Sequence, residues 1–156
     1  MEFSFSELKK EFEKIAEKHK MPPFSKLNED FEIGKIENDS GTLLRAVRKT
    51  MMEKIVNSLG FLEMLLNPMN VPRMYVAYVS TMSVDDKKRI EAIYGKLSFL
   101  SALSLEREIE YDEKKEAELI EKIFSAWGEV KEDFLKILQN MKNPSSSVKR
   151  ERSYYG

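Results

Sequence analysis

The stretch 55–84 places the strongest constraint on what this chain can fold into. Its thirty residues include only two charged side chains, Glu63 and Arg73, whereas 34% of the whole chain is charged. A segment this apolar is either the buried centre of a fold or a surface that another molecule covers. Because Asn67 and Pro68 interrupt the run far short of about 18 unbroken apolar residues, we predict no transmembrane helix.

The length of the chain fits one domain with a tail. A domain of 156 residues buries roughly 68–70% of the surface of its unfolded chain and needs no disulfide or metal to hold it together. We predict a single helical domain at residues 1–143 and a flexible C-terminal tail at residues 144–156, which is rich in Ser, Lys and Arg.

The composition argues against several classes of function. The chain has no cysteine, which excludes disulfides, thiolate nucleophiles and cysteine-ligated metal sites. The chain has 26 basic and 27 acidic residues, so its net charge is close to zero. No net positive field therefore draws it to nucleic acid or anionic lipid, and we expect neither as a partner. The N-terminus lacks a basic region followed by an apolar core, so we predict a cytoplasmic protein. The many charges of both signs resemble thermophile composition.

The first helix is marked by a local capping signal. Ser4 and Glu7 have the spacing of a capping box, and the helix that follows is predicted to run to about Lys20, before two prolines. Residues 21–40 are then predicted to form a long connection. Because apolar residues are scattered through it, we expect this connection to pack along the body of the protein, with a lid as the alternative.

The second helix is predicted to begin after an N-cap at Asp39 or Ser40 and to end at Asn67. Its apolar stripe is wider than one face, so the helix is either central or shared with a partner chain. In the segment 69–82, β-branched and aromatic residues favour a strand, while a cap followed by Pro72 favours a short helix. We favour the short helix because no second strand is evident.

The third helix is predicted to open at Ser83 and Asp86, which form another capping pair. A turn is predicted near Tyr111 and Asp112, with Asp112 as the next N-cap, since a continuous helix would be too long for a compact domain. The last helix carries a regular apolar seam and ends at Asn143. Together these features predict an all-α fold, an antiparallel four-helix bundle with one or two short extra helices and a long connection after the first helix.

Motifs for catalysis, metals and nucleotides are absent from the sequence. The chain has a single histidine, His19, whereas a carboxylate-bridged di-iron bundle needs two Glu-x-x-His motifs. The acidic residues between 106 and 118 are interleaved with basic ones, which favours a solvated helix face or a helical corner over a metal site. No glycine-rich phosphate-binding motif occurs. We therefore predict no catalytic residue, metal or cofactor.

The methionine-rich centre of the chain is the remaining candidate for a site. Six of its nine methionines fall between residues 51 and 82, and flexible thioethers beside aromatic rings make adaptable surfaces for apolar ligands or partner helices. They also fill irregular cores, so core, self-association surface and small-molecule pocket all stay open. The residues predicted to form such a surface or pocket are Met64, Met69, Met74, Tyr75, Tyr78 and Trp127.

Two functions follow from this surface. The first is a non-enzymatic helical-bundle protein that acts through self-association or another protein–protein interaction, as a homodimer using the second helix and the segment after it. The alternative is a ligand-binding or enzymatic bundle with an apolar pocket between its helices, lined by Met64, Met74, Tyr75, Tyr78 and Trp127.

Overall fold

The computed structural model of the protein describes residues 4–37, 42–67, 69 and 71–143. Over these residues the chain is all-α, as the sequence predicts, and has no strand. Turns of 3-10 helix at Ile33–Lys35 and Arg73–Tyr75 precede α3 and α4. The predicted tail at residues 144–156 lies outside the described residues. The α-helices of the described part are α1 (Phe5–His19), α2 (Phe24–Phe31), α3 (Leu43–Leu66), α4 (Val76–Ser80), α5 (Val84–Ile109) and α6 (Glu113–Lys142).

Helix α1 begins and ends where its sequence predicts. Ser4 Oγ accepts a hydrogen bond from the Glu7 backbone N–H at 3.3 Å, and the Glu7 carboxylate accepts one from the Ser4 N–H at 3.3 Å. These reciprocal bonds confirm the capping box and satisfy two N–H groups that the helix itself leaves free. The helix ends at Lys20, which adopts a left-handed conformation with φ of 53° and donates its N–H to the Ala16 carbonyl.

The segment 21–40 contains more regular structure than the long connection predicted from its sequence, because helix α2 lies within it. Phe24, Leu27 and Phe31 recur at spacings of three and four residues, and all three are buried. One face of α2 therefore lies on the core, as expected for a segment that packs along the body.

Helix α3 is the centre of the fold and packs against both α5 and α6. In the part of the stretch 55–84 that belongs to α3, Ile55, Leu62 and Leu65 are buried, and further apolar side chains are half-buried against the core. The predicted caps at Asp39 and Ser40 lie outside the described residues, and Thr42 is the residue that precedes the helix. No described helix combines the length and the apolar run needed to cross a membrane. The buried apolar residues of α3 are Leu43, Leu44, Val47, Met51, Met52, Ile55, Leu62 and Leu65.

The segment after α3 is helical, so the short helix is confirmed and the strand is wrong. Pro72 stands directly before the 3-10 turn Arg73–Tyr75, and α4 continues from that turn. This segment exposes apolar side chains, among them Met74 and Val76. The second half of the stretch 55–84 is therefore partly a surface.

The two longest helices, α5 and α6, are separated by the predicted break. Ser83 Oγ accepts a hydrogen bond from the Asp86 N–H at 3.0 Å, and Asp112 Oδ1 accepts one from the Lys115 N–H at 2.9 Å. Each bond caps the start of its helix. The Asp112 cap shows how a short polar side chain can start a new helix in a region with neither Gly nor Pro.

Candidate functional site

An open apolar groove lies between the α4 segment and the C-terminal turns of α6. Its volume is about 550 Å³. Phe61 of α3 is part of its lining, and so are the polar residues Gln139 and Lys142. The groove is lined by Phe61, Met74, Tyr75, Ala77, Tyr78, Leu135, Leu138, Gln139, Met141 and Lys142.

Two of the lining residues have large exposed apolar side chains. Met74, in the 3-10 turn before α4, is 77% exposed, and Leu135 of α6 is 56% exposed. An exposed methionine and an exposed leucine across one concavity leave apolar surface in water that a ligand would cover. Because methionine has three rotatable bonds, Met74 can adapt to the shape of what it covers.

A buried polar network anchors the α4 side of the groove. The Tyr78 hydroxyl donates to Asp86 Oδ2 at 3.2 Å, and Asn140 Nδ2 donates to both Asp86 carboxylate oxygens at 3.0 Å. Arg89 adds an ion pair to Asp86 at 3.1 Å. Burial and the neighbouring Asp86 carboxylate raise the pKa of Tyr78 well above its usual value. The network therefore ties α4 to α5 and α6 and keeps the Tyr78 phenol neutral.

A series of aromatic rings leads from the groove into the interior. Phe61 packs edge-on against Tyr75, with ring centroids 5.8 Å apart, and lies 6.0 Å from Phe134. Phe134 is 6.1 Å from Trp127, which is 6.2 Å from Phe31 of α2. Aromatic pairs at these separations add to the stability that burial alone gives. The groove wall is thus supported by the core.

The structure brings together only part of the predicted surface. Met74, Tyr75 and Tyr78 all line the groove. Met69 is 89% exposed but is not part of the lining, and Met64 is only partly buried, against the core. These positions differ because α3 ends before Met69, so the methionines do not follow one helix face.

Trp127 was predicted to line the pocket but is 7% exposed and lies in the core. It faces inward with the rest of the α6 seam, and Phe134 stands between it and the groove-lining Phe61. The sequence reasoning also missed Leu135 and Leu138, which line the groove from α6. Both are apolar residues that lie outside the regular apolar seam of α6. An apolar residue outside the seam of a helix is the sequence signal that could have indicated this surface.

A charged cluster at the corner between α5 and α6 was not predicted. Arg48 of α3 is 1% exposed and donates to Glu116 Oε2 at 2.6 Å, to Ser104 Oγ at 2.7 Å and to Glu108 Oε1 at 2.9 Å. Glu116 is fully buried. The hydrogen bond from Arg48 lowers the pKa of Glu108. The prediction of a solvated face is therefore wrong for Glu116, although the helical corner itself is present.

Possible metal ligands are not gathered together in the part of the chain that the structure describes. No group of three or more His, Asp or Glu residues in that part is arranged to hold a metal ion. His19 Nε2 lies 3.7 Å from Glu113 Oε2. This contact pairs the C-terminal end of α1 with the start of α6.

A second cavity, of about 620 Å³, lies between α2 and α3. Four of its six charged lining residues have a hydrogen-bond or ion-pair partner within the protein, namely Asp30, Glu32, Lys35 and Lys54. The Lys54 ammonium lies over the rings of Phe31 and Trp127, 5.5 and 5.0 Å from their centroids, and donates to the Asp30 carbonyl. The Asp30 carboxylate accepts a hydrogen bond from Lys131 at 2.8 Å. Because these polar groups already have partners, this cavity is a weaker candidate than the apolar groove.

Comparison of the chain with protein-family models, with curated proteins and with solved structures gives no match. The case for a function therefore rests on the geometry of the groove.

Proposed function

We propose that this protein is a non-enzymatic binding protein whose groove between α4 and α6 takes an elongated apolar ligand that carries an acidic group. The observation that supports the proposal most directly is the concave apolar lining, with exposed Met74 and Leu135. Occupation of the groove would remove both side chains from water and so supply a hydrophobic driving force.

The size and lining of the groove match a site for a small molecule. Ligand pockets usually measure about 300–1,000 Å³ and have mainly apolar walls with a few polar groups that fix orientation. The groove, at about 550 Å³, falls inside that range. Its polar groups are Gln139, Lys142 and the hydroxyls of Tyr75 and Tyr78, and the Tyr78 hydroxyl already donates to Asp86.

The charge of the lining supports an acidic ligand. Lys142 is the one charged residue among the lining side chains of the described chain, and no carboxylate lines the groove. An ammonium group at an apolar groove favours a ligand whose carboxylate stays at the rim while its apolar part lies along Met74 and Leu135.

The proposed architecture behind this site is an antiparallel bundle of α1, α3, α5 and α6. The short connection at residues 110–112 supports it, because short connections join antiparallel neighbours. The contacts of α3 with both α5 and α6 are consistent with the same arrangement.

Self-association is the competing use of the same surface. Met69 and Val76 are exposed outside the groove lining, so a second copy would find additional apolar surface there. The second helix offers less to a partner than its sequence suggested, because most of its apolar residues are buried. We therefore treat a homodimer as an outcome to be tested.

The test is a fluorescence titration with a dansyl-labelled undecanoic acid. We expect saturable binding at one site, displaced by dodecanoate more strongly than by dodecanol. Met74→Glu should weaken probe binding at least tenfold, about 1.4 kcal/mol, because it places a carboxylate where the apolar chain lies. Lys142→Gln should remove the preference for dodecanoate over dodecanol.

The matched control is Met69→Glu, which introduces the same charge at an exposed methionine outside the groove. It should leave probe binding unchanged. Probe binding that is equal in both methionine variants, or absent from the wild type, would refute the proposal. Light scattering on the same samples separates the alternatives, because a dimer that Met74→Glu dissociates would favour a second copy as the occupant.

A further inference from the structure

Arg107, in the last turn of α5, is a buried cation whose side chain has no hydrogen-bond or ion-pair partner in the described part of the chain. The residue is 7% exposed, and its Nη1 atom is inaccessible and makes no hydrogen bond. No carboxylate of the described residues lies within ion-pair distance of its guanidinium, whereas Arg48 donates to three side chains. The Lys115 N–H and, at longer range, the charge of Arg107 lower the pKa of Asp112. Because no carboxylate touches this buried charge, an anion in contact with it would stabilise the folded chain.

The guanidinium borders a cavity between the end of α5 and the start of α6. The cavity measures about 200 Å³ and is lined by Arg107, by Lys115 and Lys122 of α6, and by Glu106 and Glu118. Since a water molecule takes about 30 Å³ of liquid, the space holds a small oxyanion together with a few waters.

The charges around this cavity favour an anion. Three cations line it against two carboxylates, and of these five residues only Arg107 is buried. The glutamates and the lysines are all exposed, so water screens both kinds of charge, and the buried Arg107 is the charge that water screens least.

We infer that this cavity is a binding site for a tetrahedral oxyanion of the phosphate class. Arg107 is the principal ligand, because its planar fork forms paired hydrogen bonds to oxyanions, and Lys115 and Lys122 contribute charge at the mouth. The Lys122 position is separated from Leu135, in the apolar groove, by roughly 20 Å along α6 at 1.5 Å per residue. The two sites are therefore independent, and this inference does not rest on the groove.

The test uses inorganic phosphate as the probe, at constant ionic strength set with sodium chloride. Thermal unfolding of the wild type should shift to higher temperature with phosphate in a saturable way. Phosphate at ten times its dissociation constant raises the folding equilibrium constant about elevenfold. Phosphorus NMR line broadening measures the same binding without unfolding the protein.

Arg107→Gln should abolish both the thermal shift and the line broadening. The matched control is Arg73→Gln, which removes the same charge from an exposed arginine outside this cavity and should respond as the wild type does. If Arg107→Gln does not fold, Lys122→Gln provides the comparison, with an expected loss of several-fold in phosphate affinity.

Two results would overturn the inference. One is a wild type that responds to phosphate no more than to chloride at the same ionic strength. The other is a phosphate response that survives in Arg107→Gln. If Arg107 has no ligand at all, Arg107→Gln should be more stable than the wild type, and phosphate should not raise the unfolding temperature of the wild type.

Discussion

Replacing Arg48 with methionine tests whether one buried cation holds three helices together. Arg48 belongs to α3, and its partners Ser104 and Glu108 lie on α5 while Glu116 lies on α6. Methionine fills similar space but donates no hydrogen bond. The substitution therefore removes the charge and leaves most of the packing in place.

The expected cost is set by Glu116. Without Arg48, this carboxylate remains fully buried and loses its cation, which costs about 3–5 kcal/mol. Ser104 can return its hydroxyl bond to a backbone carbonyl of its own helix, and Glu108 is partly hydrated because its side chain is 37% exposed. At about 2–4 °C per kcal/mol for a chain of this size, the melting temperature should fall by roughly 6–20 °C.

The assay is urea unfolding of four proteins: wild type, Arg48→Met, Glu116→Leu and the double variant. Because a buried ion pair can be exchanged for apolar groups at little net cost, the double variant should be more stable than Arg48→Met alone. Lys49→Met is the control, since Lys49 is 55% exposed and pairs with Glu108 at the surface, and its cost should be at most about 1 kcal/mol. A cost below about 1 kcal/mol for Arg48→Met, or additive losses in the double variant, would refute the reasoning.

Three further predictions concern protonation and capping. Burial and the Asp86 carboxylate raise the pKa of Tyr78, so folding stability should fall as pH rises above about 10, where the unfolded tyrosine ionises first. Tyr78→Phe should remove this component in urea midpoints measured across alkaline pH. The Arg48 hydrogen bond lowers the pKa of Glu108 below its usual 4.5. The stability that ionised Glu108 contributes is therefore complete above pH 4.5 and is lost as the pH falls through the lower pKa of the folded state. Glu108→Gln should reduce the loss of stability on the acid side of the same curve, and an unchanged slope would contradict this prediction. Asp112→Ala removes the N-cap of α6 and should cost about 1 kcal/mol in thermal unfolding, while retained stability would show that the cap is dispensable.

Local signals in the sequence place the starts of α1, α5 and α6. The caps at Ser83 and Asp112 depend on a backbone N–H three residues away, so the information lies within one turn of chain. The same was true of α2, where the buried residues Phe24, Leu27 and Phe31 already show helical spacing. The two prolines, Gly34 and the acidic and amide residues of this segment favour a connection instead, although Pro23 stands immediately before the helix.

The functional features depend on residues that are distant in sequence. Arg48 and Glu116 are separated by 68 positions, and nothing in the local pattern of either helix pairs them. The groove likewise joins Met74 with Leu135, from segments whose relative placement is decided by packing. Sequence periodicity indicates which apolar residues share a helix face. It does not indicate which of them remain on the surface once the long helices have packed.

The contrast between the charged corner and the apolar groove has a consequence for how the protein responds to cold. Hydrophobic contacts weaken on cooling, and the 3-10 turn before α4 is held by such a contact, that of Phe61 with Tyr75. The Arg48 cluster relies on charge and hydrogen bonds instead. We therefore expect hydrogen exchange near the freezing point to quicken in the turn Arg73–Tyr75 before it quickens at the α5–α6 corner or in α4, where the Tyr78 hydroxyl donates to Asp86, so that the Met74 side of the groove is its cold-sensitive part.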